Sequence, residues 1–212
     1  MSDDDPTTPA KTKKPGRRVP GKVSAKSLEN VALHYLERFS TSGDGLRRVL
    51  MRRVARSAHY HDTDEREAAE WVDQVVAKMQ AKGFINDRLF AEGRTRTLLT
   101  QGVPLRGIRM RLREKGIADD IAADVLALVA DDDGDVDLAA AVALAKRRRL
   151  GPFRAPEVRR ERRDKDLAAM ARAGFGYDVA RQVVDAPSPD ALEALKRGEK
   201  VPGELGYYPD EE

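Results

Sequence analysis

The stretch 83–117, GFINDRLFAEGRTRTLLTQGVPLRGIRMRLREKGI, carries its own helix boundaries, and that punctuation leaves the chain few folds to adopt. Asn86-Asp87 is a helix start, because a short side-chain oxygen accepts from the free amides of a first turn. The run 88–100 follows with helical spacing, and Leu89, Phe90 and Leu98 are expected on its buried stripe. Gly102-Val103 breaks that helix. Pro104 sits at the first position of the next, where its fixed φ suits the turn and its missing amide costs nothing. Leu105, Ile108 and Leu112 fall at i, i+3 and i+7, which makes one apolar face. Gly116 after Lys115 is a stop, since glycine takes the left-handed conformation that closes a helix and the cation complements the helix dipole.

The same cycle recurs on either side. Ser27 is expected to cap a first helix with Leu28, Val31, Ala32, Tyr35, Leu36 and Phe39 on its apolar face. The turn Ser40-Thr41-Ser42-Gly43-Asp44 introduces a second, striped by Leu46, Val49, Leu50 and Val54. Thr63 or Asp64 starts a third, which presents Trp71, Val72, Val75, Val76 and Met79 until Lys82-Gly83 ends it. After the central pair of helices, Ile121, Val125, Leu126 and Val129 mark another, and a last cycle is expected over 136–149, 165–173 and 177–184, with a polar, proline-containing connection between its first two helices. Met170-Ala-Arg-Ala-Gly174-Phe175 repeats the pattern of Leu112-Arg-Glu-Lys-Gly116-Ile117: an apolar residue, three spacers, glycine, an apolar residue. The first unit has Val54 where that glycine would stand.

Self-similarity of this kind belongs to arrays in which neighbouring units complete each other's core. The expected fold is therefore all-α, an elongated array of three tandem three-helix repeats flanked by flexible tails. Its expected divisions are a disordered basic arm at 1–26, repeats at 27–83, 84–130 and 131–186, and a flexible tail at 187–212.

Composition agrees. Of 212 residues 35% are charged and 5% aromatic, and the abundant Ala, Leu, Arg and Glu favour helices over sheets. No cysteine is present, which removes disulfides and thiolate metal sites and fits a reducing compartment. No apolar run is long enough to cross a bilayer and no secretory signal opens the sequence, so a cytoplasmic location, no membrane partner and a monomeric state are expected. The net charge is only +3, yet its signs are sorted. Residues 47–56 hold five arginines and no acid, basic residues dominate 88–115 and 146–172, and 62–73 and 119–137 are acidic. Sorting of this kind matters more to a polyanionic partner than the sum.

The run Gly83-Phe-Ile-Asn86-Asp87-Arg-Leu-Phe90-Ala91, with Gly102, Leu105-Arg106-Gly107-Ile108, Leu112 and Lys115-Gly116-Ile117, resembles the central signature of the RecX family, regulators of the RecA recombinase. Ala173-Gly174-Phe175-Gly176-Tyr177-Asp178 is similar to that family's last repeat. The resemblance spans about residues 27–186 and departs from the pattern at Val54 and in the connection before Lys165. It implies an elongated helical protein that lodges in the groove of a RecA filament and inhibits ATP hydrolysis and strand exchange.

Catalytic chemistry finds little support. His59-Tyr60-His61-Asp62 is a two-histidine fragment that no further ligand completes, and it reads as a polar loop. Gly43-Asp44-Gly45 lacks the lysine and preceding strand of a phosphate loop, and no serine sits in a nucleophile elbow. Asp131-Asp132-Asp133-Gly134-Asp135 lacks the closing glutamate of a calcium loop and reads as a linker and helix start. Neither an enzymatic activity nor a cofactor is expected. Trp71, Tyr35, Phe90, Phe175 and Tyr177 read as core, and Tyr207-Tyr208 has no functional account.

The arginines are the candidates for binding. Arg106, Arg109 and Arg113 share the i, i+3, i+7 relation off the apolar face, and Arg111 and Lys115 form an i, i+4 pair beyond them. Forked guanidinium donors suit phosphates or carboxylates. With Arg94 and Arg96 on the preceding helix and Arg147, Arg148 and Arg149 on a later one, they are expected to form a basic stripe. Two partners fit it: a RecA-type filament with single- or double-stranded DNA inside, or, through a helix-turn-helix module, DNA alone.

Overall fold

The computed structural model describes residues 21–132 and 135–199, which form ten α-helices, one 3-10 turn and no strand. The arm over residues 1–20, the centre of the calcium-like loop at 133–134, and Tyr207-Tyr208 with the rest of 200–212 lie outside the described residues.

Helices close over three successive cores. The first is built by α1 (Ala25–Leu36), α2 (Gly43–Ala58) and α3 (Glu65–Ala81), which bury Leu28, Leu46, Leu50, Val54, Val72 and Met79. The second is built by α4 (Asp87–Thr100), α5 (Leu105–Glu114) and α6 (Asp119–Asp132) around Leu98, Ile108, Leu112 and Val125. The third gathers α7 (Val136–Arg148), the 3-10 turn Gly151–Phe153, α8 (Pro156–Ala173), α9 (Tyr177–Val184) and α10 (Pro189–Lys196) around Leu144, Met170, Val183 and Leu192.

The recurring apolar-xxx-Gly-apolar pattern has a direct physical meaning here. In each copy the residue after glycine donates its amide to the carbonyl five positions back: Phe84 to Met79, Val103 to Leu98, Ile117 to Leu112 and Phe175 to Met170. The intervening Gly83, Gly102, Gly116 and Gly174 all have positive φ, the left-handed step that this closure needs. In three of the copies the apolar residues at both ends of the pattern are then buried, while Phe84 stays at the surface. α7 closes the same way without glycine, as Leu150 donates to Ala145 and Arg149 takes φ of 55°. Val54, which occupies the glycine's place in the first unit, is simply inside α2, which runs on to Ala58.

A second repeated device joins the units. Asp87, the first residue of α4, accepts from the amide of Gly43 at 2.9 Å and so caps α2 of the unit before it. Asp137, at the start of α7, accepts from the amide of Leu105 at 2.8 Å and caps α5. Each joint places a carboxylate of the following unit on the positive end of a helix in the preceding one. Close packing reinforces both. Ser42 donates to the carbonyl of Lys115 at 2.5 Å, Arg48 to that of Glu114 at 3.0 Å, and Gly102 presses against the backbone of Leu144, where a Cβ would come within 2.5 Å.

Several expectations need correction. Ser24, not Ser27, caps α1; Ser27 returns the bond from the N3 position in a capping box. Pro104 is the N-cap of α5 rather than its first helical residue. Leu89, Phe39 and Tyr177 are exposed at 63%, 54% and 64%, because the buried face of α4 is Ala91, Thr95 and Leu98, α1 ends at Leu36 before Phe39, and Tyr177 begins α9 at the surface. The polar connection before Lys165 is mostly helix, since α8 starts at Pro156, where proline is a good first residue. The segment read as a flexible tail begins with α10, whose Leu192 is fully buried. At the other end Val23, assigned to the basic arm, is buried and donates to Ser57 Oγ at 3.1 Å.

Candidate partner-binding face

α5 turns Ile108 and Leu112 into the core and leaves Arg106, Arg109, Arg111 and Arg113 exposed, with Lys115 as its C-cap. None of these side chains forms an ion pair or hydrogen bond with another described residue. The same holds for Arg94, half-buried on α4, for exposed Arg96, and for Arg147, Arg148 and Arg149 at the C-terminal end of α7. The last three complement that helix's negative end, where cations are favoured without any specific partner.

Of the expected stripe, two members share a defined cleft. Arg94 and Lys115 line a space of about 500 Å³ between the first and second units, together with Arg48, Arg52, Tyr35 and Phe90. Arg48 is engaged there, paired with Asp44 at 3.0 Å and bonded to the Glu114 carbonyl. Arg52 has no partner among the described residues. Arg48 and Arg52 were not singled out from the sequence, although the acid-free arginine run 47–56 contained the signal. The α5 arginines and the α7 trio line neither this cleft nor the one beside it.

The third unit uses the same side chains differently. Arg154 makes a two-pronged contact with Asp166, both bonds 2.7 Å, and Asp166 also accepts from the amide of Gly151 at 2.9 Å. Asp166 is 2% exposed, so the carboxylate of this pair is buried inside the fold while Arg154 reaches it from the half-buried rim. Arg163 grips Asp185 with two further bonds of 2.7 Å, and its hydrogen bond to that carboxylate holds the guanidinium well above its usual pKa. Arg159 donates to three carbonyls, those of Arg154, Pro152 and Pro187. These cations close the third unit and are already satisfied.

His59 and His61 lie beyond the end of α2, where the His59 ring meets Tyr60 edge-on at 4.7 Å. Among the described residues no group of three His, Cys, Asp or Glu could hold a metal ion, and no helix is long and apolar enough to cross a membrane.

Comparison with known proteins bears on this geometry. A family model described as the second three-helix domain of RecX matches residues 86–126, the span of α4, α5 and most of α6. The chain is 42% identical over 178 residues to the regulatory protein RecX of Myxococcus xanthus (strain DK1622), an alignment covering 84% of this chain and 94% of that one. It is 26% identical over 166 residues to the regulatory protein RecX of Agrobacterium fabrum (strain C58 / ATCC 33970), covering 78% and 86%. In fold it is similar to the crystal structure of RecX from Lactobacillus salivarius, with a TM-score of 0.51 and 24% identity over 76% of this chain and 94% of that one. A second crystal structure of regulatory protein RecX gives a TM-score of 0.55 and 22% identity over 76% and 71%.

Proposed function

Because the chain belongs to the RecX family, we propose that it is a regulator of the RecA recombinase that lies in the groove of the RecA–DNA filament and suppresses ATP hydrolysis and strand exchange. One observation carries the reading: the cations of α5, with Arg94 and Arg96 of α4, are held out to solvent without internal partners, while Arg154, Arg159 and Arg163 of the third unit are consumed by the fold. Unpaired forked donors on a rigid helix are suited to carboxylates of neighbouring protomers or to phosphates between them. The carboxylate joints at Asp87 and Asp137 tie the units into an extended body. A body of that kind contacts several subunits at once, and contacts that span subunits oppose the relative movements accompanying their ATPase cycle.

The alternative, a helix-turn-helix module reading DNA by itself, requires the N-terminal end of α5 to enter a groove. That end is occupied in this fold. Val103 and Pro104 are buried, and Leu105 is capped by Asp137 from the next unit. The two readings separate in one experiment: RecA-dependent ATP hydrolysis on single-stranded DNA, with substoichiometric protein, at two salt concentrations. A filament regulator inhibits without stripping DNA from RecA. A free DNA binder leaves hydrolysis unaffected at substoichiometric amounts and binds naked DNA with an affinity that falls steeply as salt rises.

A further inference from the structure

α5 carries one large apolar side chain that its core does not use. Ile108 and Leu112 are fully buried, and Met110 stands two positions from each, roughly 200° round the helix, so it forms the pole that faces solvent. It is 57% exposed. An exposed apolar residue alone means little. Its setting is what singles this one out. On the helix surface the neighbours of Met110 are Arg106, Gly107, Arg113 and Glu114, with Arg109 and Arg111 flanking it in the chain. Gly107 has no side chain to cover the thioether, and the four arginines have no partner among the described residues. By contrast α6, which holds the comparably exposed Leu128, carries no cation at all. An apolar centre ringed by forked donors has the layout of an interface anchor, and it fits a recess with an apolar floor and a border of carboxylates.

We propose that Met110 is the apolar anchor of the α5 face and that peroxide switches this face off by oxidising it, an inference that rests on the filament reading above. The thioether sulfur takes one oxygen atom from hydrogen peroxide, which leaves as water; the sulfur gives up the electron pair that the peroxide gains. The product is a polar sulfoxide. Seating it in the recess that the thioether occupied strands a desolvated dipole without a hydrogen-bond partner. The fold makes the reaction selective. Among the described methionines, Met79 and Met170 are fully buried and Met51 is packed against the first core, which leaves Met110 as the exposed member. Met1 lies outside the described residues. Met110 is absent from the core of its own unit, so oxidation there changes the face and spares the fold. Thiol-driven methionine sulfoxide reductases reverse the reaction, which makes it a switch rather than damage.

To test this, the full-length chain is treated with hydrogen peroxide, freed of it by desalting, and titrated into RecA ATP hydrolysis on single-stranded DNA. Peptide mass spectrometry reports which methionines have gained oxygen. Met110 is expected to oxidise before Met51, Met79 and Met170. The protein concentration giving half-inhibition is expected to rise at least roughly tenfold, the scale set by losing one buried apolar side chain from an interface. Reductase treatment is expected to return it to its starting value. Met110→Gln, polar and of similar length, is expected to reproduce the loss without peroxide and with unaltered circular dichroism. Met110→Leu, compared with its own untreated form, is expected to lose nothing on treatment, whatever the state of Met1. Unchanged half-inhibition once Met110 is oxidised, or an equal loss in the Met110→Leu chain, overturns the proposal and leaves the filament reading standing. An untreated chain that does not inhibit overturns both.

Discussion

Two arginine-rich helices, α5 and α8, differ in what their charges meet. α5, LRGIRMRLRE, keeps its energy on the apolar side through fully buried Ile108 and Leu112, and its arginines face solvent unpartnered. α8, PEVRRERRDKDLAAMARA, has no continuous apolar stripe; fully buried Met170 is joined by Asp166, and Arg159 and Arg163 anchor the turn before it and the end of α9. Arginine content alone therefore does not decide the role of a helix. An arginine already holding a buried carboxylate is part of the fold, and one with no internal partner is available to something else.

The contrast breaks most visibly at the buried carboxylate. Arg154→Met strands Asp166, a nearly fully buried carboxylate, and is expected to cost roughly 3–5 kcal/mol in chemical denaturation. Replacing both partners, Arg154→Met with Asp166→Leu, is expected to recover most of that loss, since well-packed apolar groups substitute for a buried ion pair. On α5 the comparable loss sits on the opposite face: Ile108→Ala is expected to cost roughly 2–5 kcal/mol through the cavity it leaves. A smaller change of the other sign is expected in α4, where Thr95 is fully buried and its hydroxyl has no hydrogen-bond partner. Thr95→Val should raise stability by about 1 kcal/mol, read from the denaturation midpoint. Smallest of all is the effect on folding of Arg106→Glu, Arg109→Glu and Arg113→Glu together. Each exposed change is expected to stay within about 0.5 kcal/mol, with circular dichroism unaltered.

What the sequence made legible follows the same division. Helix stops could be read because they are local: glycine, an apolar residue beside it and another five positions back are all a Schellman closure needs, and Gly83, Gly102, Gly116 and Gly174 each make one. The apolar face of α5 was equally plain. α8 was not, because its first half is stabilised by charge pairs with residues 12 and 22 positions away, which leave no periodic signal. Leu89, Phe39 and Tyr177 were misplaced because an apolar side chain at helical spacing looks the same whether it is buried or open to a partner. At the candidate face, the α5 arginines were visible as a charged side opposite an apolar one. The cleft shared by Arg52, Arg94 and Lys115 was not, because only the packing of the first unit on the second creates it.

The central claim is that unpartnered cations, not arginine content, make the binding face. The decisive measurement is RecA ATP hydrolysis on single-stranded DNA with substoichiometric amounts of three proteins. These are the unaltered chain, the Arg106/Arg109/Arg113→Glu variant, and a charge-matched control carrying Arg47→Glu, Arg181→Glu and Arg197→Glu, surface arginines each paired with a carboxylate of the fold. The account predicts inhibition by the first and the third and none by the second. Inhibition by the folded α5 variant equal to that of the unaltered chain would contradict it.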